Sequence, residues 1–174
     1  MENENINFKT IPENKNWVVL HTKSRREKKV SEFCNKTGIS NYLPLEQRYK
    51  QYGKKRVIFL VPLFSGYLFC CCNEKERYAL LMTHQIAQVI PVIDQYSLLH
   101  DLEKLHIAQN AGMDLTPTQH FKNGHEVKII SGPLAGYMGI IQKIKGKKRL
   151  VLNVDFIQQA ASIEVDQFAI RTLN

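Results

Sequence analysis

The sequence has no continuous apolar run long enough to cross a membrane. The longest candidate, residues 57–72, is interrupted by Pro62, Ser65 and Gly66, whereas a spanning helix needs about 20 apolar residues. The first 16 residues are polar, rich in Asn, Glu and Lys, and have no apolar core of a secretory signal. We therefore expect a cytoplasmic protein without a membrane partner.

Cysteine is present, but not in a pattern that suits a disulfide framework or a zinc site. Cys70, Cys71 and Cys72 are consecutive and Cys34 stands alone, so the paired C-x-x-C spacing is missing. Consecutive strand residues point to alternate faces, which would divide the three adjacent thiols. We predict buried structural thiols and no metal.

Catalytic clusters are missing as well. The six histidines are scattered, and His100 and His106 lack the i, i+4 spacing of a helical metal site. No Ser, Cys or carboxylate cluster pairs a nucleophile with a base. We expect neither an enzyme nor a cofactor.

Acidic residues are outnumbered by basic ones. The formal net charge is +8, the isoelectric point is about 9.3, and 44% of the residues are hydrophobic. This composition is typical of a globular protein, and its charge favours a polyanionic partner such as nucleic acid or a ribonucleoprotein.

Hydrophobic periodicity predicts an α+β unit in the first two thirds of the chain. The run from Trp17 to Thr22 has the character of a central strand. Ser24 and Glu27 match a capping box, which predicts a helix from Arg25 to Lys36 that ends at Gly38. Further elements are then expected: strands over residues 39–43, 67–72 and 87–92, a hairpin with a basic tip over 46–63, and helices over 73–82 and 97–111.

The last third is patterned as short strands around a glycine-rich segment. Gly132-Pro133-Leu134-Ala135-Gly136-Tyr137-Met138-Gly139 connects two alternating runs, 125–130 and 139–144. Further strands are predicted over residues 149–156, 162–165 and 169–172. The order of a strand, the segment G-P-x-x-G-[FY]-x-G and a second strand resembles the KOW motif. This resemblance implies a small SH3-like β-barrel.

The order of elements is similar to the NusG family, in which an N-terminal NGN domain precedes a KOW domain. NGN domains open on a strand such as W-Y-V-x-x-T, matched by Trp17 to Thr22, and carry P-x-[FY]-x-G-Y-[VL]-[FL], matched by Pro62 to Phe69 with Ser65 in place of the usual Pro. The resemblance implies a disordered tail over residues 1–15, an NGN domain over 16–111, a flexible linker over 112–120 and a KOW domain over 121–174.

In this family the NGN domain binds bacterial RNA polymerase, and the resemblance implies contact residues. Those expected on the polymerase clamp helices are His21, Phe64, Tyr67 and Phe69, although the alternation of a strand would turn about half of them toward the core. Those expected on the gate loop are Glu76, Arg77 and Tyr78. The non-template DNA strand would contact Lys23, Ser24, Arg25, Arg26, Lys29 and His84. On the KOW domain, Phe156 and Ile157 would bind a small-subunit ribosomal protein or a termination factor; the alternative is that both belong to the barrel core.

Specialised antitermination factors share this architecture with general NusG. The general T-P-G-V-x-x-F-V segment is replaced by Thr83-His84-Gln85-Ile86-Ala87-Gln88-Val89-Ile90. Together with the basic helix start, this favours a factor that resembles RfaH and the UpxY antiterminators, expected to be a monomer. The alternatives are a housekeeping NusG or, in another class, a KOW-containing ribosomal or RNA-binding protein.

Overall fold

The computed structural model of the protein describes residues 6–120, 125–144, 147–165 and 170–172. The chain divides into two compact units, one formed by Met1–Leu45 with Phe64–Leu99 and the other by Glu46–Leu63 with His100–Asn174. In chain order the described elements are β1 (Asn16–Thr22), α1 (Glu27–Thr37), β2 (Ser40–Tyr42), β3 (Leu45–Tyr52), β4 (Lys55–Pro62), β5 (Tyr67–Cys72), α2 (Glu74–Met82), β6 (Ile86–Pro91), α3 (Gln95–Asn110), β7 (Thr116–Gln119), β8 (His125–Ile129), β9 (Met138–Ile144), β10 (Lys147–Val154), β11 (Gln159–Glu164) and β12 (Ile170–Thr172).

The first unit contains an antiparallel sheet in the order β2-β5-β1-β6. Trp17, Val18, Val19 and Leu20 of β1 are all buried, which explains why this central strand is apolar without alternation. Val18 and Leu20 belong to one core cluster with residues of α1 and α2. By the period of the strand, Trp17, Val19 and His21 lie on the opposite face.

Helix α1 starts differently from the prediction. The residue that precedes it is Arg26, which makes no side-chain capping bond, so the capping box at Ser24 is wrong. Glu27 is instead buried, and its carboxylate accepts a hydrogen bond of 2.7 Å from the backbone N–H of Gly66. The Glu27 carboxylate, which the local pattern assigned to the helix cap, thus accepts a hydrogen bond from a backbone N–H that is distant in the sequence. The end of the helix at Gly38, with a left-handed φ of 71°, is as predicted.

Helix α2 has the predicted N-terminus. The side chain of Asn73 accepts a bond from the backbone N–H of Glu76, and the carboxylate of Glu76 accepts one from the N–H of Asn73, both at 2.9 Å. Lys15 adds an ion pair of 2.6 Å to Glu76. This capping box satisfies backbone donors that a helix start leaves open.

Residues 1–5 of the expected disordered tail lie outside the described residues, and within residues 6–15 one side chain is packed. Phe8 is buried, stacks on Trp17 with ring centroids 5.7 Å apart, and meets Tyr42 edge-on at 5.3 Å. One aromatic residue in a polar segment therefore covers part of the sheet, because it finds an aromatic surface to pack on.

The second unit is built on an antiparallel sheet in the order β12-β8-β9-β10-β11-β7. The predicted strands are present, but β10 ends at Val154, where a 3-10 turn over Asp155–Ile157 begins. The segment expected to be a linker contains β7, which pairs with β11. Arg149 helps to hold it there, since its guanidinium donates to Thr116 Oγ1 at 3.1 Å.

The glycine-rich segment folds as a tight connection between β8 and β9. Gly132 and Gly136 have φ of 84° and 93°, a region that favours glycine. The N–H of Gly136 donates to the carbonyl of Ile129 at 2.8 Å. Gly139 lies so close to the next strand that a Cβ there would be 2.5 Å from Leu150 Cδ1. Two steric reasons therefore explain the glycines of this motif: a left-handed backbone at Gly132 and Gly136, and the close approach of the next strand at Gly139.

Candidate functional site

One end of the first unit's sheet carries a half-exposed aromatic pair. The registers of β1 and β5 place His21 opposite Tyr67, and their ring centroids are 5.2 Å apart. Both side chains are partly accessible, and on the next strand Gln88, opposite His21, is exposed. Aromatic side chains that are half-buried and held in place are favourable interface anchors because little conformational entropy is lost on binding.

The other two residues predicted at this surface are inside the protein. Phe64 is 1% exposed and Phe69 is 0% exposed. Phe69 lies opposite Val19 in the register and shares the face of His21 and Tyr67. We therefore correct the prediction for Phe64 and Phe69, which are buried, whereas His21 and Tyr67 are accessible.

The turn that presents Tyr67 is fixed by hydrogen bonds to two other elements. The carbonyl of Gly66 accepts a bond of 2.8 Å from the N–H of Thr22, at the end of β1. The N–H of Gly66 donates to Glu27, at the start of α1. Gly66 has a φ of 85°, and a Cβ there would be 3.4 Å from the ring of His21. The aromatic pair and the start of α1 are therefore joined through one glycine.

Two loops meet next to this turn. The first, residues 23–26, connects β1 to α1, and the second, residues 83–85, connects α2 to β6; we call them the basic loop pair. The N–H of Lys23 donates to the carbonyl of Gln85 at 2.8 Å. Lys23, Ser24, Arg25 and His84 are exposed, and Arg26 is half-buried. The structure thus brings His84 to the same place as the basic residues that follow β1.

Both loops contain a residue with unusual backbone geometry. Arg25 has a φ of 58° and His84 a φ of 57°, in the left-handed region that costs free energy for residues other than glycine. Strained residues of this kind are found preferentially at functional sites. Register also shifts between His21 and Thr22 where β1 leads into the first loop, and such bulges re-aim side chains. These observations favour a functional role for the surface formed by the basic loop pair.

The charge around the start of α1 is opposite to what the helix itself favours. A helix N-terminus has a partial positive charge and is stabilised by acids. Here Lys28 and Lys29 lie in the first turn, after Arg25 and Arg26, and both lysines are exposed. The acid of this stretch, Glu27, is buried against Gly66. The accessible charge is therefore positive and suits an anion such as a phosphate.

The predicted gate-loop residues at the start of α2 have different environments. Glu76 is used by the capping box and by Lys15, and Arg77 pairs with Glu74 at 2.6 Å. Tyr78 is 65% exposed. Burial raises the pKa of Glu76, but hydrogen bonds from Lys15 and the Asn73 amide, with the charge of Lys15, lower it more, so that the net pKa is below normal. Tyr78 is thus the most exposed member of the group.

The predicted pair on the second unit is divided by the 3-10 turn. Phe156 is 36% exposed, but Ile157 is 8% exposed. The prediction of an exposed pair is therefore corrected, because the strand ends before these residues and the turn directs Ile157 inward. The N–H of Asp155 donates to Asp101 at 3.3 Å, and its carboxylate contacts His120 at 2.6 Å, which fixes the turn.

The cysteines are buried, as predicted. The Sγ atoms of Cys34 and Cys70 are 3.6 Å apart. Burial is the main cause that raises the pKa of Cys70, and the contact with Cys34 adds to it. Among the residues that the structure describes, no group of His, Cys, Asp and Glu is arranged to hold a metal ion, and no described helix is long and apolar enough to cross a membrane.

Sequence reasoning missed the roles of Glu27 and Gln85. Glu27 was assigned to a local cap, and the partner that it has in the structure is 39 residues away. Gln85 links the two loops through its backbone carbonyl, which carries no side-chain signal. The spacing of Gly66 and Tyr67 within the 62–69 motif was the available signal for this site.

Comparison with known proteins gives a family and a fold. The family model described as "Transcription termination factor nusG" matches residues 15–106, which is more than half of the chain. The solved structure of Thermotoga maritima NusG, reported for its domain interaction, is 19% identical with a TM-score of 0.53, and the match covers 92% of this chain and 98% of that one. At this identity the likeness supports the fold alone.

A structure titled as the MjSpt4:Spt5 complex is 15% identical, and the match covers 91% of this chain and 97% of that one. Its TM-score of 0.29 is too low to carry an argument. No curated protein sequence matches the chain significantly.

Proposed function

We propose that this chain, which belongs to the NusG family, is a transcription elongation and antitermination factor that binds bacterial RNA polymerase through its first unit. The observation that carries the proposal is the half-exposed pair His21 and Tyr67 next to the basic loop pair. An apolar anchor beside a cationic surface suits a polymerase helix and an adjacent nucleic-acid strand.

The clamp helices of the polymerase are the proposed partner of the aromatic pair. His21 and Tyr67 supply the accessible surface, and the buried Phe69 lies on the same face of the sheet. The gate loop is assigned to the start of α2, where Tyr78 is the most exposed residue and lies beside Glu76 and Arg77. Binding to both sides of the polymerase cleft would favour its closed, active state over a paused state, which is a shift of populations and not a catalytic step.

The non-template DNA strand is the proposed partner of the basic loop pair and of Lys29. Exposed single strands are bound by cations that hold phosphates, together with rings that stack on bases. Lys23, Arg25 and Arg26 supply the cations, His84 supplies a ring, and Ser24 supplies a hydroxyl group. The left-handed backbone at Arg25 and His84 supports this assignment, because such strain is found preferentially at functional sites.

The finer assignment is to a specialised factor that resembles RfaH and UpxY proteins. It is supported by the sequence over residues 83–90 and by the basic start of α1. We assign the NGN domain to residues 16–111 and a KOW domain with an SH3-like barrel to residues 121–174; the connection over 112–120 contributes β7 to the sheet of the second unit. The proposed partner of the KOW domain is a ribosomal protein of the small subunit or a termination factor, with Phe156 as the accessible contact.

Single-round transcription tests the proposal. Bacterial RNA polymerase would transcribe a template with one pause site and one terminator, with and without the protein. We expect faster escape from the pause and more readthrough. Dependence on one upstream DNA sequence would identify a specialised factor, whereas activity on every template would favour a housekeeping NusG. No effect and no polymerase binding would favour the RNA-binding alternative.

Variants separate the two surfaces. Tyr67→Ala should weaken polymerase binding, because it removes an accessible anchor without opening the core. The control is Tyr96→Ala, which removes a tyrosine that is 75% exposed elsewhere on the same unit. Arg25→Gln with Lys29→Gln should retain polymerase binding and lose crosslinking to the non-template strand. Equal polymerase binding by Tyr67→Ala and Tyr96→Ala would contradict the assigned face.

A further inference from the structure

Strands β3 and β4 form a two-stranded ribbon that is separate from both other sheets. Within the described residues, neither strand pairs with a third strand. Each strand has eight residues, so the ribbon is about 26 Å long at about 3.3 Å per residue. Every residue from Gln47 to Leu60 is exposed. Isolated ribbons are only marginally stable in water, so an exposed ribbon of this length calls for an explanation.

The ribbon combines apolar and aromatic side chains with a single sign of charge. Tyr49, Tyr52, Ile58 and Phe59 are 48%, 53%, 57% and 38% exposed. From Gln47 to Pro62 there is no acidic residue and there are five basic ones: Arg48, Lys50, Lys54, Lys55 and Arg56. Arg48 pairs with Glu46, which is itself buried. The accessible charge of the ribbon is therefore entirely positive.

Cations and rings are interleaved on this ribbon. The guanidinium of Arg56 lies 3.8 Å from the centre of the Tyr49 ring, and the ammonium group of Lys50 lies 4.9 Å from that of Tyr52. Tyr49 and Tyr52 are three residues apart on β3, so the pleat turns them to opposite faces. Each face thus has an aromatic ring with a cation held against it.

We infer that this ribbon binds single-stranded RNA, with the tyrosines stacking on bases and the lysines and arginines contacting phosphates. Stacking platforms flanked by cations are the general solution for unpaired nucleic acid. A duplex is read through its grooves by polar side chains that hydrogen-bond to base edges, whereas the uncharged side chains exposed here include aromatic rings and aliphatic groups. A protein partner would need a surface of opposite charge to meet the four cations other than Arg48, which pairs with Glu46.

The choice of RNA over DNA rests on the proposed function. The non-template strand is already assigned to the basic loop pair, and the remaining unpaired strand outside a transcribing polymerase is the transcript. The RNA-binding measurement uses no polymerase. A failure to bind RNA would therefore contradict this inference and leave the transcription result unchanged. A failure in the transcription assay would contradict the proposed function and leave the RNA-binding result unchanged.

Fluorescence anisotropy with the full chain and a labelled, unstructured 20-nucleotide RNA tests this inference. We expect Tyr49→Ala with Tyr52→Ala to weaken binding by about 5- to 150-fold for each lost stack. Lys54→Gln with Lys55→Gln should lower the slope of log K against log salt by about 1.4, since each phosphate contact contributes about 0.7. Tyr96→Ala is the control and should bind like the wild type.

A second pair of variants separates stacking from loss of the hairpin. Tyr49→Phe with Tyr52→Phe keeps the rings and should retain RNA binding. Tyr49→Leu with Tyr52→Leu keeps apolar area without a ring and should bind as weakly as the alanine variant. Equal affinity of the wild type and the alanine variant would overturn the inference. Tighter binding to a DNA duplex or to single-stranded DNA of the same length, lost in the same variants, would overturn the choice of RNA.

Discussion

Removal of the Glu27 carboxylate should destabilise the first unit. In Glu27→Ala the backbone N–H of Gly66 loses its acceptor at 2.7 Å in a site where Glu27 is 5% exposed. A buried donor left without a partner costs about 1–3 kcal/mol. For an m-value of about 2 kcal/mol/M, a loss of about 2 kcal/mol lowers the urea midpoint by about 1 M.

The protein provides its own probe for this measurement. Trp17 is the one tryptophan of the chain, is 1% exposed and lies in the first unit, so urea titration followed by tryptophan fluorescence reports on that unit. Glu27→Gln keeps an acceptor oxygen and should lose less than about 1 kcal/mol. An unchanged midpoint for Glu27→Ala, or an equal loss for both variants, would refute the role of this carboxylate.

Three further variants test other parts of the fold. Asn73→Ala should lower the unfolding free energy of the first unit by about 1 kcal/mol through loss of the α2 cap, measured by the same fluorescence titration; no change would mean that the cap is dispensable. The pKa of Glu76 is lowered in the folded state, so its ionised form contributes stability near neutral pH that is lost as the pH falls through the folded pKa. Lys15→Gln should therefore reduce the drop in urea midpoint between about pH 6 and pH 3. An identical pH profile for the wild type and this variant would contradict the pairing. Gly139→Ala would place a Cβ 2.5 Å from Leu150 Cδ1, and overpacking of this kind costs about 1–3 kcal/mol. Amide hydrogen exchange in β9 and β10 should therefore accelerate. Exchange at the wild-type rate would show that Leu150 can move aside.

Much of the architecture could be predicted from local patterns. The start of α2 at Asn73, the stop of α1 at Gly38 and the hairpin around Gly53 depend on a few neighbouring residues, and the structure has all of them. Strand β7 could not be predicted in this way, because Thr116-Pro117-Thr118-Gln119 has no hydrophobic period and becomes a strand only by pairing with β11.

The candidate site was predictable as residue types and not as geometry. The basic residues after β1 and the aromatic residues of the 62–69 motif were visible in the sequence. Their accessibility was not: His21 and Tyr67 are half-exposed, whereas Phe64 and Phe69 are buried. The alternation of side chains along a strand shows which residues share a face. Whether those residues are buried depends on the other elements that pack on that face.

The sequence by itself determined the family, the order of most elements and the positive charge of the chain, because these depend on composition, spacing and nearest neighbours. Tertiary structure decided which residues meet. It placed Tyr67 against His21, joined residues 23–26 to 83–85, and moved Glu27 from a local cap to the N–H of Gly66. A carboxylate bonds to whichever buried donor the fold brings within reach, and only the packed chain brings Gly66 there.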